Sequence, residues 1–483
     1  MSVDGFFEVF LVAFISLLGF LSLIAAGRSD RSAVEMFLFA FPVGYSLVLL
    51  SSIASIAFFS SFIPVFVLGL SALTILLVLA TVRPALSPQD RRFLITTVVG
   101  YGALSFLFRA CNLVIFSRDS FDFMFLASAF ADSIPIESYA SYFAAYPLAI
   151  IPFHALAKYF GQDFSSSLSP LCQCLGLGAA IAYSLRFARL SRIPIRFSAL
   201  FLMGMVTLFT FSTVFILQQS VYVNSHTMVA CLIMLLTGEI LGLESIIRNS
   251  PTRLPGSLVM ILALLLITAF ARLEGLLVAL LLVLILLETK VLRVWQVWLG
   301  AFVLVIPMVF WAQCIQQPTD GGLTLTSSKK VYGAAAPLIG LPILYSITPI
   351  RERFHWLRPI SLFGLGGALV AYLISNPYGY AISVLSLLSN MLVSVPWGVF
   401  WLVVLAIALS PFAVSKDATN ARTKYLIVSY IALSIALGAL RTPYRLGWGD
   451  SANRMMIHIV PLAYFFLMCQ ALNTLRRPIC AEQ

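Results

Sequence analysis

From one end of the chain to the other, apolar runs of about 20 residues alternate with short polar connections. A water-soluble core does not need uninterrupted runs of that length. A helix crossing a bilayer does, because the hydrocarbon layer offers its backbone no partner and only a self-satisfied helix or a closed barrel survives there. The runs are too long for barrel strands. The expected fold is therefore all-α, a polytopic transmembrane bundle of about fifteen apolar segments. The least regular pair covers 257–271 and 273–288, each half being short. The first run, Phe6 to Ala26, has no basic flank before it and is long enough to span, so it reads as a membrane helix and not as a cleaved leader. The segments group as N-terminal helices over 1–116, a long loop over 117–167 and the remaining bundle over 168–483.

Charge sets the expected orientation. The chain has 30 Lys and Arg. With the N-terminus outside, twenty-one of them fall in inner connections, seven on the outer side and two, Arg109 and Arg272, within spans. Excess positive charge marks the cytoplasmic side. The expected location is the bacterial inner (plasma) membrane, multi-pass, with the C-terminus cytoplasmic. The net charge of +11 does not indicate nucleic acid, because the basic residues are dispersed between apolar runs and form no patch. The cysteines are scattered too. Cys172 and Cys174 have no second pair at metal-ligand spacing, and most of the seven read as small core residues.

Against this apolar background, "FSRDSFDFMFLASAFADSIPIE" at 116–137 stands out for its acids. It opens the longest outer connection. It reads as an interfacial helix ended by Pro135, with Phe121, Phe125 and Phe130, Met124 and Leu126 suited to lie in the headgroup plane. Asp119 and Asp122 are three apart and share a face. A wetted helix face is the plain reading of such acids. A second outer loop, "RTPYRLGWGDSANRMMIHIVPL", places Arg441, Arg445 and Arg454 where the charge bias disfavours arginine. Asp450 or Ser451 reads as the cap of the last helix, with Arg454 in its first turn, an arrangement that favours an anion. The plainer alternative is an Asp450–arginine pair holding the loop. In "ITAFARLEGLL", Arg272 and Glu274 interrupt some thirty apolar residues, and Gly275 offers a sharp turn between two half-helices. That pair reads equally as a self-satisfied hairpin closure or as a substrate contact. Tyr222, Asn224 and His226 in "LQQSVYVNSHT" could line a wet cavity, although a lone histidine at an interface is more often structural. Lys329 and Lys330 offer a contact to an anionic head group.

Four of these stretches resemble motifs of the GT-C superfamily of integral-membrane glycosyltransferases. "RDSFDFMFLASAF" resembles the family's acidic motif, with Asp119 at the catalytic-carboxylate position. "AAYPLAIIPFHALAKYFG" resembles the Tyr-Pro-Pro-Leu segment, with Tyr146 and Pro147 present and Leu148 in place of the second proline. "ARLEGLL" resembles the Arg-Pro-Glu-Gly turn, with Leu273 replacing proline. "DSANRMMIHIVPLAYFF" resembles the late segment with an arginine and a proline, here Arg454 and Pro461. Two features depart from the pattern. The acidic loop follows the fourth apolar run instead of the first, and no large soluble C-terminal domain identifies an acceptor.

The resemblance implies transfer of a sugar from a polyprenyl-phosphate donor to a hydroxyl on a glycan, lipid or protein acceptor at the outer face, with membrane lipids as surroundings. It assigns Asp119 as base, with Asp122 in reserve. Arg454, Arg445, Arg441 and Arg272 are the expected phosphate ligands. Arg118, Glu274, Tyr146, Tyr222, Asn224, His226, Lys329 and Lys330 are the expected further substrate contacts. No cofactor is implied with certainty, and a divalent cation is left open. The competing readings are a lipid-linked glycan transporter or flippase, which inverted repeats would favour, and a membrane ligase or polymerase acting on lipid-linked glycans.

Overall fold

The computed structural model describes residues 3–26, 32–82, 86–111, 114–116, 118–144, 148–249, 254–314, 327–393, 397–410, 418–438 and 451–475. The elements are helical throughout. In chain order they are α1 (Val3–Ala25), α2 (Ala33–Phe59), α3 (Pro64–Val82), α4 (Pro88–Cys111), α5 (Arg118–Ala131), α6 (Ile151–Tyr159), α7 (Leu168–Leu190), α8 (Phe197–Phe211), α9 (Val214–Ser220), α10 (His226–Asn249) and α11 (Leu254–Ala271). There follow α12 (Leu273–Glu288), α13 (Val294–Cys314), α14 (Ser327–Ser346), α15 (Thr348–Glu352), α16 (Leu357–Ser375), α17 (Pro377–Leu392), α18 (Phe400–Leu409), α19 (Ala418–Leu437), α20 (Ser451–Met455) and α21 (Val460–Asn473). Several short 3-10 turns join them.

Among the described residues, ten helices are long and apolar enough to cross a membrane, or up to eleven if α8 and α9, bent by 72° at their junction, form one span. The chain is thus a multi-pass helical membrane protein. Not every apolar run gives a helix of that length among the described residues: Phe400–Leu409 has 10 residues and α12 has 16. One stretch reads as a connection in sequence but is helical. Asn376 closes α16 and caps α17, its Oδ1 accepting from the Gly379 amide at 2.8 Å, with Pro377 at the first helical position.

The chain divides into two compact units, one of 1–175 with 221–354, the other of 176–220 with 355–483. In the first, α1 and α2 lie backbone to backbone. A Cβ added at Gly19 would fall 1.8 Å from the Ala40 carbonyl oxygen, and one at Gly44 would fall 1.8 Å from that of Ile15. Small residues at such crossings permit the close approach that stabilises helix pairs in lipid. Tyr101 Oη donates to the Phe37 carbonyl at 2.6 Å, and Tyr45 Oη to that of Ala149, which ties the segment before α6 to α2. Helices α11 to α14 pack beside them.

In the second unit, α21 packs on α8, with Thr207 Oγ1 and Tyr464 Oη 2.6 Å apart. Helix α19 packs on α16, with Ser361 Oγ 2.6 Å from Tyr425 Oη. Tyr430 Oη donates to the Met455 carbonyl at 2.8 Å and lies 2.7 Å from His458 Nδ1.

Candidate functional site

One short segment of the first unit, residues 221–226, meets two further stretches singled out in the sequence, the acidic helix and the Arg272 break. The Ile115 amide donates to the Val221 carbonyl at 3.0 Å. Ser169 Oγ donates to the Tyr222 carbonyl at 2.6 Å. Ser120 Oγ, in the first turn of α5, donates to the Val223 carbonyl at 3.0 Å. The acidic helix is therefore fastened by Ser120 to the segment that leads into α10. Asp119 and Asp122 flank this anchor and are half-buried, Asp119 in the first turn of α5.

The apolar residues of α5 do not form the single interfacial face expected of them. Phe121 and Phe125 are exposed, whereas Leu126 and Phe130 are fully buried. Phe130 stacks on Phe62, with centroids 4.9 Å apart, and packs near Phe143. The helix is docked on its own unit through one side and leaves two phenylalanines outward.

The same segment continues into a charged cluster. Asn224 Oδ1 accepts from the His226 amide at 2.9 Å, an Asx turn that leads into α10. The Arg272 guanidinium reaches this helix start. Its Nη1 lies 3.4 Å from Ser225 Oγ and 3.4 Å from His226 Nε2, and its Nε lies 3.3 Å from Glu274 Oε2. The contact with Arg272 makes Nε2 the acceptor, which leaves the ring proton on Nδ1. Glu274 is 1% exposed, Arg272 15%. Buried charge is tolerated only when paired, and this cluster pairs it while one edge of the arginine stays accessible. The carboxylate sits in the first turn of α12, the favourable end for an anion.

The break between α11 and α12 falls at Arg272, whose backbone is extended (φ −168°, ψ 154°), and not at Gly275. The glycine instead allows close packing. A Cβ there would lie 3.2 Å from Val229 of α10 and 3.4 Å from Thr268 of α11.

Arg454 lies in the second unit. It is half-buried in α20, beside Asn453, whose Oδ1 accepts from Trp397 Nε1, and one turn before the buried His458. The final helix is not continuous from Ser451. Five residues of α-helix pass through a 3-10 turn, Met456–Ile459, into α21. Tyr146, Arg441, Arg445 and Asp450 lie outside the described residues. Arg118, Lys329 and Lys330 lie in helices, but their side chains also fall outside what is described.

A second polar cluster in the first unit went unread in the sequence. Glu8, fully buried in α1, accepts hydrogen bonds from Ser165 Oγ, Ser167 Oγ and the Ser167 amide, and its Oε2 lies 3.9 Å from Arg109 Nε. The Ser165 amide in turn donates to His154 Nδ1 at 3.1 Å. Burial pushes His154 down from 6.5 to about 4, so the ring stays neutral. The signals were a carboxylate inside the first apolar run and the serine-rich run Ser165–Ser167, which share no local spacing.

Among the described residues, no three His, Cys, Asp or Glu side chains converge to hold a metal ion. Among protein-family models, curated proteins and solved structures, nothing matches this chain.

Proposed function

We propose that the chain is a membrane glycosyltransferase of GT-C type that moves a sugar from a polyprenyl-phosphate donor to an acceptor hydroxyl at the outer face of a bacterial inner membrane. The observation that carries this reading is the joining of an acidic helix and the Arg272–Glu274 pair through one segment, 221–226, by Ser120 on one side and by Ser225 and His226 on the other. A lipid-phosphate sugar already carries its leaving group, so the enzyme needs a base for the acceptor and fixed positive charge for the phosphate. In this reading the acceptor oxygen attacks the anomeric carbon as its proton passes to Asp119. The bond from that carbon to the phosphate oxygen breaks, and its electron pair leaves with the polyprenyl phosphate. Arg272 meets the developing charge, and a planar guanidinium fork suits phosphate better than an ammonium group. Asp122 is the alternate base.

Asparagine substitutions test the assignment, because Asn caps a helix as Asp does but takes no proton. Asp119→Asn is expected to leave expression and donor binding unchanged and to lower transfer by at least about a hundredfold. A dead Asp122→Asn beside an active Asp119→Asn moves the role to Asp122. Full activity in both variants refutes the mechanism.

A further inference from the structure

At the other end of α12 from Arg272, the first unit holds a cavity of about 250 Å³ between α11, α12, α13 and α14. On α12 its lining begins at Val283, about 16 Å along the helix from Arg272. Its walls include Leu262, Leu286, Leu304, Leu338 and Trp295, and its one amide side chain is Gln296. That amide is already engaged, its Oε1 accepting from the Arg293 amide at 2.8 Å. A buried water needs two to four polar partners, and apolar cavities of about 150 Å³ stay dry and take up hydrocarbon. This cavity is larger and equally apolar. Val259, Trp295 and Leu299 on its walls are also exposed, so it opens through an apolar stretch of the helix surface, the stretch that faces lipid in a membrane-spanning bundle.

The connection beside the cavity is basic. Lys290 and Arg293 are exposed and lie between the lining residues Leu287 and Trp295. Tyr345 Oη donates to the Leu292 carbonyl at 2.8 Å, which brings α14 and α15 to the same place, and Arg351 lies over the Tyr345 ring. Lys290 Nζ donates to a backbone oxygen of Glu352 and not to its carboxylate. The acids nearby are Glu288 and Glu352, against Lys290, Arg293, Arg351 and Arg353, so the connection carries net positive charge. An apolar slot entered from the lipid side, with a cationic rim at one helix end, matches a chain with an anionic head.

We infer that this cavity holds an acyl chain of an anionic phospholipid whose head group meets Lys290, Arg293 and Arg351. The inference stands apart from the transfer reaction and needs no catalytic residue.

The test uses the full chain in detergent and measures retained lipid by native mass spectrometry during titration with phosphatidylglycerol, phosphatidylcholine or a polyprenyl phosphate. Wild type is expected to hold a single phosphatidylglycerol, saturably, in preference to phosphatidylcholine. Val259→Trp with Leu304→Trp fills the slot and is expected to abolish retention. Lys290→Gln and Arg293→Gln sit on exposed positions that do not test folding, and each is expected to weaken phosphatidylglycerol about fivefold. Equal retention of phosphatidylcholine, unchanged retention in the tryptophan pair, or displacement of phosphatidylglycerol by equimolar polyprenyl phosphate each overturns the inference.

Discussion

Arg272 shows how a single residue takes its role from its surroundings. Its guanidinium is held by Glu274, Ser225 and His226, so its direction is fixed before any ligand arrives. Fixed charge stabilises a transition state more than mobile charge does, because no reorganisation is needed. Arg272→Ala is expected to cost about 2 kcal/mol or more in transition-state stabilisation. Lysine at Arg272 is expected to restore only part of it, since a point charge replaces the fork. Steady-state transfer by the folded variants checks this, and wild-type kcat/KM in Arg272→Ala removes the residue from the site. The sequence made the pair visible, as two charges in an apolar run. It did not reveal which neighbours they meet, because Ser225 and His226 lie some 47 residues away along the chain. Gly275 was misread for a related reason. A glycine in sequence signals either a turn or a close approach, and only the packing of Val229 and Thr268 distinguishes them.

Elements were legible where a local cause sets them. Pro135 follows the end of α5 as expected, and Arg118–Ala131 is helical as the pattern suggests. The faces of α5 were not legible, because α5 packs against α6 and Phe130 stacks on Phe62, neighbours that no helical period encodes. At this scale the loop from α5 to α7 is held by His154 and Ser165 against Glu8. His154 is neutral in the fold, with its value lowered from 6.5 to about 4 by burial. In the unfolded chain it binds a proton below 6.5, so stability is full above that pH and is lost as pH falls toward 4. The loss is expected to reach about 3 kcal/mol. Melting in detergent across this range checks it, and His154→Gln is expected to flatten that part of the profile. A profile unchanged by His154→Gln assigns the loss to other groups.

For the molecule as a whole, the fold class was readable because the bilayer demands long apolar helices whatever their neighbours are. The division into two units was not, since each unit is assembled from separated stretches of chain. Within the first unit, the start of α1, the end of α4, α5, the start of α10 and the Arg272 break all meet at one end, as alternating helices require. Under the orientation proposed from the charge bias, that end is external. With native cysteines replaced, an impermeant thiol reagent outside the cell is expected to label Glu137→Cys and to spare Lys290→Cys; the reverse pattern inverts the orientation. The central claim is that the chain breaks and forms glycosidic bonds instead of carrying lipid across the membrane. Its most direct test is the full chain in vesicles loaded with a polyprenyl-phosphate sugar labelled in the sugar, supplied with an envelope glycan and lipid fraction as acceptor. The account predicts that label moves to the acceptor and that free polyprenyl phosphate appears in equal amount. Intact labelled donor crossing between leaflets, with no label on any acceptor, contradicts it.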